Sequence, residues 1–143
     1  MIRLSSAQLW VHDQDEALAF YTGPLGWEVR SDVSVPEWSF RWLVVGPPDQ
    51  PEVGVVLMGY AMAPWDDDMK ALIGEVTAKG GGTTLFLETE DCQASYEALL
   101  ARGVEFTEVP SERPYGIDCG FRDPSGNNLR LTQVLQWDIT RGS

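Results

Sequence analysis

VHDQDEALAFYTGPLGWEV (residues 11–29) and TEDCQASYEALLARGVEF (residues 89–106) read as two versions of one plan. In the first, the strand-like Ser6 to Val11, apolar at Ala7, Leu9 and Val11, runs into Asp13-Gln14-Asp15-Glu16. Asp13 can accept from the free amides of a helix start, and Glu16 three residues on completes a capping-box pattern. Ala17, Leu18, Phe20, Tyr21 and Leu25 supply an apolar face, and Gly23-Pro24 and Gly26 end the helix before Trp27-Glu28-Val29 opens a strand. In the second, Thr84 to Glu88 alternates as a strand and Glu90-Asp91 begins a helix with Tyr96, Leu99 and Leu100 on one face. Gly103 stands where a C′ glycine belongs, and Val104-Glu105-Phe106 is the next strand.

Working outward, each version continues with two more strands. Phe40 to Val45 and Val53 to Met58 follow the first, joined by Gly46-Pro47-Pro48-Asp49. Ile117 to Phe121 and Asn128 to Val134 follow the second, joined by Asp123-Pro124-Ser125-Gly126, a type I turn signature. Asp13 to Gly26 and Glu90 to Gly103 both span 13 residues, and the two copies lie about 77 residues apart. The chain therefore reads as a duplicated βαβββ unit. The expected organisation is one α+β domain over residues 1–143, with module one at 1–62, a linker at 63–82 and module two at 83–137. Within the linker, Asp66 to Ile73 is a short helix candidate and Gly80-Gly81-Gly82 reads as a flexible hinge.

The 143 residues suffice for one core without covalent staples. Ten Lys and Arg against 22 Asp and Glu leave a net charge of −12. That argues against nucleic acid and anionic membrane as partners; the charge reads first as a soluble acidic surface, and only weakly as a lean toward a neutral or cationic ligand. The most apolar window, Val53 to Trp65, is 13 residues with two glycines and a proline, too short to span a bilayer. No basic stretch followed by an apolar one opens the sequence, and Cys92 and Cys119 lack CxxC spacing. A reduced, cytoplasmic protein is expected, with both cysteines as packing residues.

Val11-His12-Asp13, Phe20-Tyr21, Leu25-Gly26-Trp27, Ala101-Arg102-Gly103-Val104-Glu105-Phe106, Arg113-Pro114-Tyr115-Gly116 and Phe121-Arg122-Asp123-Pro124-Ser125-Gly126-Asn127 stand in order along nearly the whole chain. In this they resemble the vicinal oxygen chelate superfamily of glyoxalase I, bleomycin-resistance proteins, fosfomycin-resistance enzymes and extradiol dioxygenases. The resemblance implies a curved sheet of two βαβββ modules around a cavity, paired within a chain or across a dimer. It also implies four metal-ligand positions in the metal-dependent members. Here they fall on Ser6, about Leu57, Thr84 and Arg130. Leu has no lone pair to give, hydroxyls are poor ligands for a transition metal, and Arg carries only donors and a positive charge. Neither metal nor cofactor is expected.

Other chemistry has little to stand on. His12, the single histidine, reads as a loop residue just before a helix start, and no nucleophile elbow accompanies it. Gly80-Gly81-Gly82 lacks the Lys-Ser/Thr of a phosphate loop. Asp66-Asp67-Asp68 reads as a helix N-terminus. The six tryptophans, Trp10, Trp27, Trp38, Trp42, Trp65 and Trp137, are more informative. Trp38, Trp42 and Trp65 either stack on a planar ligand or fill the core or a dimer interface. Alternation puts Thr84, Phe86 and Glu88 on one strand face, and Asn128, Arg130 and Thr132 on another. Arg130 then needs a partner: either Glu88 or a polar group of the ligand. By the resemblance, Tyr115 holds the place of an aromatic that packs on the drug in bleomycin-resistance proteins; its alternative is to pin the loop at Arg113-Pro114.

The leading expectation is metal-independent binding of a small, partly aromatic molecule by a homodimer. Trp38, Trp42, Phe86 and Tyr115 would be its stacking walls, with Glu88 and Arg130 as polar contacts. Its rivals are a metal-dependent glyoxalase- or dioxygenase-type enzyme, a metal-free enzyme moving protons with Glu88 and Arg130, and a structural interaction module.

Overall fold

The computed structural model describes residues 1–135, so Trp137 and the end of module two lie outside the described residues. Two compact units account for the chain. One holds Met1–Thr83 and Pro124–Asn127; the other holds Thr84–Asp123 and the described residues from Asn128 on.

The first unit runs β1 (Ala7–Val11), α1 (Gln14–Thr22), β2 (Glu28–Val35), β3 (Phe40–Gly46), β4 (Val55–Gly59) and α2 (Asp67–Ala78). Its strands form a sheet in the order β1-β4-β3-β2, with β1 parallel to β4 and the other pairs antiparallel. Asp13 caps α1, accepting from the amide of Glu16 at 3.0 Å. Ala17 and Tyr21 turn inward from α1, and Leu9, Val11, Leu43, Val45 and Leu57 are buried. Trp27 is half-buried, its ring 5.4 Å from that of Tyr21.

The second unit repeats the plan: β5 (Thr84–Glu88), α3 (Cys92–Ala101), β6 (Phe106–Arg113), β7 (Gly116–Arg122) and β8 (Asn128–Val134). The sheet order is β5-β8-β7-β6, again with the first pair parallel. Asp91 caps α3 by accepting from the amide of Ala94 at 3.0 Å. Asp91→Ala should cost about 1 kcal/mol in urea unfolding, the usual worth of an N-cap. At the far end the amides of Gly103 and Val104 donate to the carbonyls of Leu100 and Leu99, the paired bonds of a Schellman stop. The two modules and their α+β class agree with the sequence reading.

Three details differ from it. The buried stripe of α3 includes Cys92 and Leu99 with Tyr96 half-buried, while Leu100 faces solvent. Positions 92, 96 and 99 follow the 3.6-residue repeat, which carries Leu100 past the edge of the stripe. Helix α2 runs to Ala78, beyond Ile73, passing through Gly74. A Cβ on Gly74 would lie 2.7 Å from the Tyr60 hydroxyl, so the missing side chain is what lets that ring pack on the helix. The triple glycine is not a loose hinge at its start: the amides of Gly80 and Gly81 donate to Thr77 and Val76, closing α2 with the same stop as α3.

Cys92 and Cys119 are fully buried with their sulfurs 3.6 Å apart. Burial pushes the Cys119 thiol up to about 12, which keeps it protonated and suits a packing role. Among the described residues no helix is long and apolar enough to cross a membrane.

Candidate functional site

On β7, Cys119 and Phe121 face α3, so the alternate residues Asp118 and Gly120 stand on the opposite face of the sheet. There the second unit carries a cleft of about 900 Å³. β5 contributes Phe86 and Glu88, β6 Glu108 and, at its end, Arg113, β7 Asp118, and β8 Arg130 and Thr132, with Tyr115 arriving from the β6–β7 turn. Register explains the grouping: Phe86 pairs with Arg130, Arg130 with Gly120, and Asp118 with Thr132.

A charge cluster forms the polar floor. Arg130 Nη2 donates to Asp118 Oδ2 at 2.7 Å, and its Nη1 lies 3.0 Å from Glu108 Oε2. Arg113 Nε donates to Asp118 Oδ1 at 3.2 Å, and its Nη2 reaches Glu108 Oε2 at 3.4 Å. The Tyr115 hydroxyl donates to Asp118 Oδ2 at 2.9 Å. Asp118 is the buried centre, its side chain 4% exposed against 22% for Arg130 and 42% for Arg113. Gly120 makes room for this: a Cβ there would sit 2.7 Å from Arg130 Nη1. The guanidinium lies across β7 toward Asp118 because that strand offers it no obstacle.

Burial pushes the Asp118 carboxyl up, but the hydrogen bonds from Arg130, Tyr115 and Arg113 outweigh it and hold the group below the usual carboxylate range. Tyr115 is pushed above its ordinary value, first by its hydrogen bond to Asp118 and then by burial. Burial works against the charge of Arg130, yet its bonds to Asp118 and Glu108 raise it overall. Asp118 and Arg130 are thus held ionised. Asp118 already accepts from three donors and Arg130 is locked in its protonated form, so neither has a proton to trade at neutral pH.

The structure brings together Phe86, Glu88, Tyr115 and Arg130 from the sequence reading, with Thr84 beside them. The partner of Arg130 is Asp118 with Glu108, however, and not Glu88. Glu88 lies opposite Thr132, two positions further along β8, and Arg130 reaches the other way. Trp38 and Trp42 belong to the first unit, with 76% and 38% of their surface exposed. Trp65 packs on Trp10 with ring centroids 4.8 Å apart, so it acts as a packing residue. His12 is exposed and hydrogen-bonded to the Tyr60 hydroxyl. Sequence reasoning missed Asp118 and Glu108 altogether. The available signal was an acid in the middle of the apolar run Ile117 to Phe121.

The family metal positions do not fit a metal. Ser6 precedes β1, and Leu57 is buried on the core side opposite Leu9. Gln8 pairs with Val56 as Phe86 pairs with Arg130, so the internal counterpart of Arg130 is Val56, one residue from the expected place. Val has no more to offer an ion than Leu, Thr84 offers a single hydroxyl, and Arg130 is in an ion-pair network. Among the described residues no group of three His, Cys, Asp or Glu is placed to hold a metal.

Comparison with known proteins agrees with this architecture. Residues 3–131 match the family described as the Glyoxalase/Bleomycin resistance protein/Dioxygenase superfamily. The crystal structure of UcmS2 is similar at 42% identity, covering 93% of this chain and 98% of that one with a TM-score of 0.86. TnmS3, an antibiotic binding protein from Streptomyces sp. CB03234, is 27% identical over 94% of this chain and 97% of its own, with a TM-score of 0.71. An uncharacterised protein of Shewanella frigidimarina is 35% identical over 88% of this chain and 89% of its own length.

Proposed function

The chain belongs to the Glyoxalase/Bleomycin resistance protein/Dioxygenase superfamily, and from that premise we propose that it binds a small, partly aromatic, antibiotic-like molecule without a metal. The observation that carries this reading is Phe86. A phenylalanine ring 80% exposed on the wall of a cleft has no reason to be there for stability, since burying it would be favourable. The cleft, at about 900 Å³, is within the roughly 300–1,000 Å³ that encloses drug-sized ligands. Its polar floor is satisfied internally, so a planar ligand can lie over it without stranding a buried charge. Phe86 and Tyr115 act as stacking walls, and Arg130 presents the remaining edge of its guanidinium as an anchor. The likeness to an antibiotic binding protein supports the same class of ligand.

The test is calorimetric titration with planar tricyclic aromatics of the acridine type. Phe86→Ala and Tyr115→Ala should each weaken binding about tenfold, the combined loss of stacking and buried area. Trp38→Ala and Trp42→Ala run alongside, on the separate proposal that these exposed rings of the first unit stack on a ligand of their own. Affinities unmoved by all four substitutions would show that the ligand sits elsewhere.

A further inference from the structure

We propose that the cleft sorts its ligands by charge: Glu88 receives a cationic or strongly donating group, while Asp118 and Glu108 keep the two arginines from recruiting an anion. This rests on the binding reading above and adds the chemical class of the ligand together with the residues that set it.

Three carboxylates and two guanidiniums line the cleft, Glu88, Glu108 and Asp118 against Arg113 and Arg130. The arginines are committed. Each donates to Asp118 and each lies within ion-pair distance of Glu108. An anionic ligand would have to compete with a buried carboxylate that is already bonded three times over. It would also face the unneutralised charge of Glu88.

Glu88 is in the opposite condition. It is exposed on β5, and its carboxylate has no hydrogen-bond or ion-pair partner among the described residues. It stands two residues from Phe86, so strand alternation places both side chains on one face. A cation held by Glu88 is therefore close to an exposed aromatic ring, where the negative π-face adds to the attraction. A second, shallower concavity of about 570 Å³ continues from Glu88 past Glu90 to Val134 and Leu135. It brings a further acid and more apolar surface to the same rim. The net charge of −12 acts in the same sense at long range, drawing cations in and slowing anions.

The experiment uses three acridine-ring probes of matched size carrying an ammonium, no charge or a sulfonate, titrated into the wild type, Glu88→Gln and Phe86→Ala. The ammonium probe should bind about tenfold tighter than the neutral one at low salt, with the sulfonate weakest, and added salt should narrow the spread. Glu88→Gln should bring the ratio of cation to neutral affinity close to one. Phe86→Ala should weaken the cationic and neutral probes, which places them in this cleft. If the three probes bind alike, or if the ratio survives Glu88→Gln, the charge assignment is wrong while the binding site stands. If none of them binds, the binding reading fails and this inference fails with it.

Discussion

Asp118→Ala should lower stability by about 3 kcal/mol, the cost of leaving arginines without their buried counter-ion. The figure is set below the upper end for such losses because Arg130 keeps Glu108 as a second partner and both arginines retain some contact with solvent. For a chain of this size that corresponds to a fall in Tm of about 6–12 °C. Asp118→Asn keeps the shape and one acceptor, and should lose less. The two variants also differ from the wild type in a pH-dependent way. The folded protein holds the Asp118 carboxyl below its ordinary value, so the stability it supplies is fully present above the unfolded value of about 3.9. That contribution is lost as pH falls below about 4 and through the folded-state value. The gap between wild type and Asp118→Asn should therefore be constant from about pH 5 to 7 and close on further acidification. Urea midpoints measured across that range decide it; a gap that stayed open in acid would mean that the Asp118 charge is not what stabilises the floor.

Gly116→Ala should cost at least about 3 kcal/mol, although the change is a single methyl group. Gly116 opens β7 with φ at +153°, and a Cβ there would lie 2.0 Å from the Gln133 carbonyl oxygen and 3.0 Å from the Leu135 nitrogen. Both are backbone atoms, so no side chain can rotate aside. The strand pair itself must move, at the point where Gly116 faces Val134 and the Leu135 amide donates to the Tyr115 carbonyl. Tyr115 is the preceding residue, and it should lose its grip on Asp118 at the same time. Denaturation and probe titration of the one variant thus report on fold and cleft together. A loss under about 1 kcal/mol with unchanged probe affinity would contradict this account of the turn.

Much of the architecture was legible because it is local. Asp13 and Asp91 announce their helices, Gly103 stops one of them, and Asp123-Pro124-Ser125-Gly126 turns the chain. The two caps and the stop act through backbone amides a few residues away. The repeat then doubles every inference. Strand ends were less legible: β2 reaches Val35 and β6 reaches Arg113, well past the short runs that alternation marks. Their outer halves are held by cross-strand partners rather than by their own pattern.

The site shows the same division. Phe86 and Glu88, and Arg130 on its neighbour, could be assigned to strand faces because alternation on β5 and β8 is a one-strand property. The partner of Arg130 was not, because it depends on a neighbouring strand, on register, and on a glycine that clears the way. Asp118 sits one residue from Cys119, and a reading that follows the apolar residues of β7 passes over it. The displaced metal position has the same origin: a slip of one residue, from Val56 to Leu57, exchanges the two faces of a sheet.

The most direct test of the central claim is a calorimetric titration of the neutral acridine probe into protein freed of metal by a chelator. Binding at one site per cleft is predicted, with an affinity that stays the same when zinc, nickel, iron or manganese is added back. Binding that disappears on chelation and returns with one of those ions would contradict it, and would show that residues other than Ser6, Val56, Thr84 and Arg130 supply the ligands.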